Sequence, residues 1–242
     1  MHVLVTNDDG VTALGLRLLA NILQSLGHGV TVVAPETNQS GKSQAITIDR
    51  PLWIKPAFLG GMPSSYAVRG TPADCVRLVL AGYFGALPDL VVSGVNHGLN
   101  LGPDIDISGT VGAARTAALR GIPSIAVSTD NVDGRQTGRL LGMHLPTLVD
   151  WAVNRPGVLY NVNFPSSGGD ALDVAEALRE WPDRMLALGR HGEYDQVALE
   201  RDPVSDGISP ASDYAAILHG RTAVTPMPVR GPSGVPEPLL LM

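Results

Sequence analysis

Cysteine is almost absent from this 242-residue chain. Its one thiol, Cys75, excludes an intrachain disulfide, and with histidines scattered at 2, 28, 97, 144, 191 and 219 it leaves a structural zinc site without a ligand set. Lysine is scarce as well: Lys42 and Lys55 are the lysines among 17 basic residues, which restricts any mechanism built on a catalytic amine. Aromatic side chains make up 5% of the chain, so a planar ligand has few rings to stack on, and Tyr66, Tyr194 and Tyr214 are the candidates. No apolar run approaches the roughly 20 residues that span a bilayer. The N-terminus lacks a basic segment followed by an apolar stretch and a cleavage site, which makes a cytoplasmic location the expectation. A formal net charge of -6 argues against a nucleic-acid polymer or an anionic membrane as partner, since both demand a positive surface. A hydrophobic content of 44% is enough for one large, well-buried α/β domain.

What the chain does have is a series of polar loops placed between strand-like and helix-like segments. The mostly apolar run His2-Val3-Leu4-Val5 ends in Thr6-Asn7-Asp8-Asp9-Gly10-Val11, after which a helical pattern begins. A strand that stops at an acidic turn and feeds a helix opens a parallel α/β sheet, whose ligands bind beyond the carboxyl ends of its strands. Adjacent carboxylates repel each other unless a proton or a cation neutralises them, so Asp8 and Asp9 predict a divalent metal. An N-cap role explains one aspartate and leaves the second without a reason.

Strand and helix patterns alternate through roughly the first 165 residues, which predicts a mostly parallel sheet with helices on both faces. Strands are expected at 3–6, 30–34, 90–93, 125–128 and 158–164, the last strand that the pattern marks. Helices are expected at 13–26, 72–84, 110–120 and about 136–153, with shorter β-like pieces at 44–48 and 66–69 and a loop over 94–109. From Pro165 onward Gly, Ser, Pro and acids dominate. Residues 166–242 read as an extended arm or hairpin on the core, or as loops around the site, and 226–238, with five prolines, as an irregular tail. Too little apolar sequence remains there for a second core, so a single domain over 1–242 is expected.

Three further loops join Asp8-Asp9. They are Asn38 to Ser43, Ser93 to Gly102, and Ser108-Gly109-Thr110 at a helix start. Carboxylates, a serine hydroxyl and an amide carbonyl are hard donors, which suit Mg²⁺, Mn²⁺ or Ca²⁺. Ser108-Gly109-Thr110 reads either as an ordinary helix cap or as a phosphate cradle, in which glycine admits the anion and free amides meet it. Gly41-Lys42-Ser43 is not a P-loop, because its first glycine would fall at Glu36.

Together, Thr6-Asn7-Asp8-Asp9-Gly10-Val11, Ala34-Pro35 with Ser40-Gly41, Gly70-Thr71-Pro72-Ala73-Asp74-Cys75-Val76, Ser93-Gly94-Val95-Asn96 with Asn100-Leu101-Gly102, and Ser108-Gly109-Thr110-Val111 resemble the SurE family of nucleotidases. The resemblance covers residues 1 to about 130 and resumes weakly at Asn161-Val162-Asn163-Phe164-Pro165 and Ser212-Asp213-Tyr214 with Val224-Thr225-Pro226. It implies a Rossmann-like core, a C-terminal arm used in a homodimer or homotetramer, and a phosphatase acting on nucleoside 5′- and 3′-monophosphates, sometimes with exopolyphosphatase activity. It further implies one divalent ion per subunit, Mg²⁺ or Mn²⁺, held by Asp8, Asp9, Ser40 and Asn96. Phosphate contacts fall on Asn96, Asn100, Ser108, Gly109 and Thr110. His97 and Thr116 depart from the family's pattern, standing where a small residue and an acid are usual.

The mechanism expected of such a site is in-line attack by a metal-activated water, with the amides near Ser108 to Thr110 sharing the developing charge. Asp9, more than Asp8, is the candidate to orient or deprotonate that water, and His97 a candidate acid for the leaving group. One alternative is a haloacid-dehalogenase-like phosphatase with Asp8 as nucleophile, although the acids are adjacent and neither lysine stands in the required late position. Another is a sensor that binds nucleotide or metal without turnover. A dinucleotide dehydrogenase is excluded, because the first turn carries acids where Gly-x-Gly-x-x-Gly would be needed.

Overall fold

The computed structural model describes residues 1–62, 64–132, 135–177, 183–201 and 208–229. In chain order the elements are β1 (His2–Thr6), α1 (Leu14–Ser25), β2 (Gly29–Pro35), β3 (Ile54–Pro56), β4 (Ser65–Val68), α2 (Pro72–Leu80), β5 (Leu90–His97), α3 (Asp104–Ile107), α4 (Gly109–Ala118), β6 (Ser124–Thr129), α5 (Arg135–Asn154), β7 (Val158–Phe164), β8 (Leu172–Val174), β9 (Asp183–His191), β10 (Tyr194–Arg201), α6 (Asp213–Leu218) and β11 (Thr222–Pro228). Among the described residues nine strands form one sheet, in the order β3-β4-β2-β1-β5-β6-β7-β11-β8. From β4 to β7 every neighbouring pair is parallel. The edge strand β3 and the inserted β11 run antiparallel to β4 and β7.

Period-two burial explains the layers. Val3, Val5, Val32, Val92 and Val127 point to one face, where α1 and α5 cover them with Leu16, Leu19, Leu23, Leu141 and Leu145. Leu4, Val33 and Val91 point the other way, onto Cys75, Val76 and Val79 of α2 and Ala113 and Ala117 of α4. Spacing of i, i+3 and i+7 at Leu16, Leu19 and Leu23 makes α1 amphipathic, and all three are fully buried. The start of α2 is fixed locally: Pro72 occupies the first turn and Thr71 and Asp74 close a reciprocal capping box.

Sheet order reverses between β1 and β5. Chain connections lead outward from β1 through α1 to β2 on one side, and from β5 through α4 to β6 on the other. The crevice at such a switch point is where open α/β sheets bind ligands. Asp8-Asp9 follows β1 and Asn96 is the penultimate residue of β5, so both flank it.

Several expectations are corrected. Residues 44–48 form no strand; they run as an irregular segment whose Thr47 bonds through its amide (3.0 Å) and hydroxyl (2.7 Å) to Asp74. The edge strand lies later, at Ile54–Pro56. Helix α2 stops at Leu80, not residue 84. Residues 94–109 are less of a loop than expected, since β5 continues to His97 and α3 forms a short turn. The sheet also does not end at β7. Strand β11 inserts beside it and carries Pro226 and Pro228, which the ladder tolerates because β8 pairs only with Thr222 to Val224 and leaves that stretch an edge. The rest of the expected tail, residues 230–242, lies outside the described residues. Between β8 and α6, β9 and β10 pair as a separate antiparallel hairpin joined at His191 and Tyr194.

Candidate functional site

All four polar loops meet at the carboxyl edge. Gln39 N–H donates to the Asp8 carbonyl at 2.7 Å and ties the second loop to the first. His97 N–H donates to Asp9 Oδ2 at 3.1 Å, which brings in the third. The fourth arrives through α4, where the Thr110 hydroxyl donates to Asp8 Oδ1. The second loop also joins α3, which leads into the fourth, by Ser43 Oγ to the Asp106 carbonyl at 2.6 Å and Ser43 N–H to the Ile107 carbonyl at 3.0 Å.

Asp8 is 3% exposed. Burial pushes its carboxyl above the usual carboxylate range, the Thr110 hydroxyl pulls it partly back, and the charge on Asp9 adds to the rise. Among the described residues no cation pairs with this buried carboxylate beside a second one, an arrangement that either a proton or a metal ion relieves. Gly109 makes the approach of α4 possible: a Cβ there would stand 2.8 Å from Asp8 Cβ and 2.9 Å from its Oδ2. Asp9 is less buried, and besides the His97 amide it has Asn38 Nδ2 at a long 3.5 Å from Oδ1.

Asn96 is positioned by an irregularity in its strand. The β5–β6 register shifts between Ser93 and Asn96, with Gly94 at φ +139 and its absent Cβ only 2.3 Å from the Val127 carbonyl oxygen. Asn96 Nδ2 then donates to the Gly98 carbonyl at 2.7 Å, which fixes the amide and leaves Oδ1 available as a donor to a cation. Ser40 lies exposed on the second loop, its N–H held by Asn38 Oδ1 at 2.9 Å. No three His, Cys, Asp or Glu side chains gather as a metal-binding group among the described residues. The oxygen set available is therefore two carboxylates with a neutral amide and a hydroxyl, a hard, low-charge set that fits Mg²⁺ or Mn²⁺ in chemistry.

Around the phosphate-type residues the structure shows competing bonds. Ser108 Oγ accepts from Val111 N–H at 3.1 Å, so its oxygen serves as the N-cap of α4. The Thr110 hydroxyl donates to Asp8. Gly109 N–H has no hydrogen-bond partner among the described residues and stands in the first turn, where the helix dipole favours an anion. Asn100 Nδ2 donates to Ser128 Oγ at 2.8 Å, and its backbone is clamped by Asn161 and Asn163, whose Nδ2 groups donate to its carbonyl at 2.9 and 3.0 Å.

Sequence reasoning gave no role to Asn161, Asn163, Asp213 or Asn38. Asp213 accepts Gly102 N–H at 2.9 Å and so pins the far end of the third loop. The two asparagines two apart in the buried strand β7 were the available signal, since same-face polar residues there need partners. Thr116 accepts from Gln44 Nε2 at 3.0 Å, tying α4 to the segment that follows the second loop. The His97 side chain is exposed. Of the tyrosines, Tyr66 packs on Phe84 at 4.5 Å between centroids and Tyr194 stands 81% exposed on the hairpin, so neither joins the loops.

Fold and site together define an open, doubly wound α/β protein with paired carboxylates at its switch point. The chain matches the family described as survival protein SurE over residues 3–183, and it belongs to that family. It is 37% identical to a 5′-nucleotidase SurE of Pseudothermotoga lettingae over 95% of this chain and 89% of the relative. It is 38% identical to a 5′-nucleotidase SurE of Syntrophobacter fumaroxidans, over 90% and 92% of the two chains. The crystal structure of a SurE protein from Aquifex aeolicus superposes with a TM-score of 0.78 at 30% identity, covering 95% of this chain and 94% of that one.

Proposed function

We propose that the protein is a divalent-metal-dependent phosphomonoesterase that hydrolyses nucleoside 5′- and 3′-monophosphates to nucleoside and phosphate. The observation that carries the reading is Asp8, buried to 3% exposure beside Asp9 and braced by α4 at the sheet's switch point. The curated relatives, named 5′-nucleotidases over nearly the whole chain, support it.

Asp8, Asp9, Ser40 and Asn96 would hold one ion, Mg²⁺ or Mn²⁺. Such an ion supplies Lewis-acid polarisation of the phosphoryl group and a lowered pKa for water. Asp8 keeps its orientation through Thr110, whose hydroxyl donates to its carboxylate. Asp9, held from one side by the His97 amide and reached by solvent, accepts the proton of the attacking water. The unpartnered Gly109 N–H, at the positive end of α4, stabilises charge on the equatorial phosphoryl oxygens. Ser108, with its oxygen committed to the cap, has only its hydroxyl hydrogen to offer. Asn100 shapes the third loop through its clamped backbone and presents its remaining amide hydrogen to the phosphate.

The C-terminal extension acts as the contact by which copies of the chain assemble. Support comes from hairpin residues Met185, Val197 and Leu199, which are 65%, 53% and 72% exposed, with Met185 paired directly to Leu199.

The test is phosphate release from a panel of nucleoside monophosphates in Mg²⁺, Mn²⁺ or excess chelator. The reading predicts release that chelator abolishes and metal restores. Binding without turnover in every metal would replace it with a sensor, and trapping of a covalent phosphoenzyme would replace it with nucleophilic catalysis by Asp8.

A further inference from the structure

A second concave surface lies away from the four loops. It is a cavity of about 720 Å³ between α2, the segment leading into β3, and the end of α4, and its lining includes Arg50, Arg77, Arg120, Trp53 and Tyr83. Arg120 follows the C-terminus of the helix whose N-terminal Thr110 bonds Asp8, so about 15 Å of helix separates the two places. None of the loop residues assigned to the carboxylate site lines this cavity.

Its charge is anomalous in an acidic protein. Arg69, Arg115, Arg139, Arg190 and Arg221 each pair with a carboxylate, whereas Arg50, Arg77 and Arg120 pair with none among the described residues. Three guanidiniums gathered round one concavity repel each other unless an anion joins them. The acid in the lining does not fill that role: Asp74 is 1% exposed, and its carboxylate already accepts from Thr47 N–H, the Thr47 hydroxyl and Thr71 N–H. Two rings border the same space with unusual exposure, Trp53 at 66% and Tyr83 at 65%. Guanidiniums suit phosphate or carboxylate bidentately, and open aromatic faces suit a flat ring. A volume of about 720 Å³ falls within the range of about 300–1,000 Å³ occupied by small-molecule ligands.

We propose that this cavity is a second ligand site, which binds a small polyanion carrying a planar ring, of nucleoside diphosphate chemistry, with the guanidiniums on the anionic groups and the ring against Trp53 or Tyr83. The site is independent of the catalytic reading, since it shares no residue with it.

The test titrates ADP into the full-length protein in excess chelator, read by calorimetry and by quenching of tryptophan fluorescence, with tripolyphosphate as the ring-free probe. Saturable ADP binding is expected. Arg77→Glu with Arg120→Glu weakens it at least about tenfold at unchanged melting temperature, and Arg50→Ala alone weakens it at least about threefold. Trp53→Ala weakens ADP and leaves tripolyphosphate unchanged. Asp9→Asn leaves both unchanged, which places the binding outside the carboxylate site. Absence of saturation into the millimolar range, indifference to both arginine substitutions, or loss of binding in Asp9→Asn would each overturn the proposal.

Discussion

Replacing Gly109 by alanine separates chemistry from stability. The new Cβ would meet Asp8 Cβ at 2.8 Å. Carbon atoms rest at about 3.5–4.0 Å, so the contact is short by about 0.7–1.2 Å and either α4 or the Asp8 side chain must give way. Helix α4 is held by Ala113, Ala114 and Ala117, all fully buried, whereas Asp8 Cβ sits on the loop that follows β1. Asp8 therefore moves. A displacement of about 1 Å in a reacting group costs on the order of 100-fold, so kcat/KM for a nucleoside monophosphate falls by about that factor, equivalent to about 2.7 kcal/mol of transition-state stabilisation. Stability changes far less. Alanine gains up to about 1 kcal/mol of helix propensity over glycine, set against about 1–3 kcal/mol of overpacking that the Asp8 movement relieves. Steady-state kinetics and a thermal melt on the same preparation give the answer. Activity within threefold of wild type, or a loss of activity that tracks unfolding, would refute the claim that α4 sets the position of Asp8.

Two other predictions concern titration. Burial raises the folded-state pKa of Asp8, so in chelator its contribution to stability is fully present below the ordinary carboxylate pKa of about 3.9 and is lost as pH rises through the raised value. Melting temperatures of wild type and Asp8→Asn, both in chelator, should diverge across that window, with wild type losing ground as pH rises; parallel curves would contradict the assignment. Burial likewise pushes the Cys75 thiol well up, with Asp74 adding to the effect. Native protein should resist an aromatic disulfide reagent at pH 8 and react with one equivalent only in denaturant, a result that prompt native labelling would reverse.

Much of this arrangement was legible in the residues because local rules and the fold agree. The strand, acidic turn and helix over the first 25 residues behave as their periodicity dictates, and the four loops share an edge because each follows a strand or opens a helix of one parallel sheet. Where the sequence misled, a tertiary partner decided. Alternation in Gln44-Ala45-Ile46-Thr47-Ile48 resembles a strand, yet Thr47 is captured by Asp74, and Ile46 and Ile48 stay 40% and 84% exposed with no ladder to join. Proline at 226 and 228 hid β11, which survives because it lies beyond the short β8. The role of Asn161 and Asn163 depends on a residue about 60 positions away, the Asn100 carbonyl that both amides share, which no local pattern encodes.

In the proposed function, Asp8 and Asp9 hold the cation on which turnover depends. Mn²⁺ binding by electron paramagnetic resonance, measured with phosphate release from a nucleoside 5′-monophosphate in the same samples of wild type and Asp9→Asn, tests it most directly. One bound Mn²⁺ per chain in wild type, with binding and release lost together in Asp9→Asn, is the predicted result. Release that persists in Asp9→Asn without bound Mn²⁺ would show that the cation is not held by these two carboxylates or is not needed for turnover.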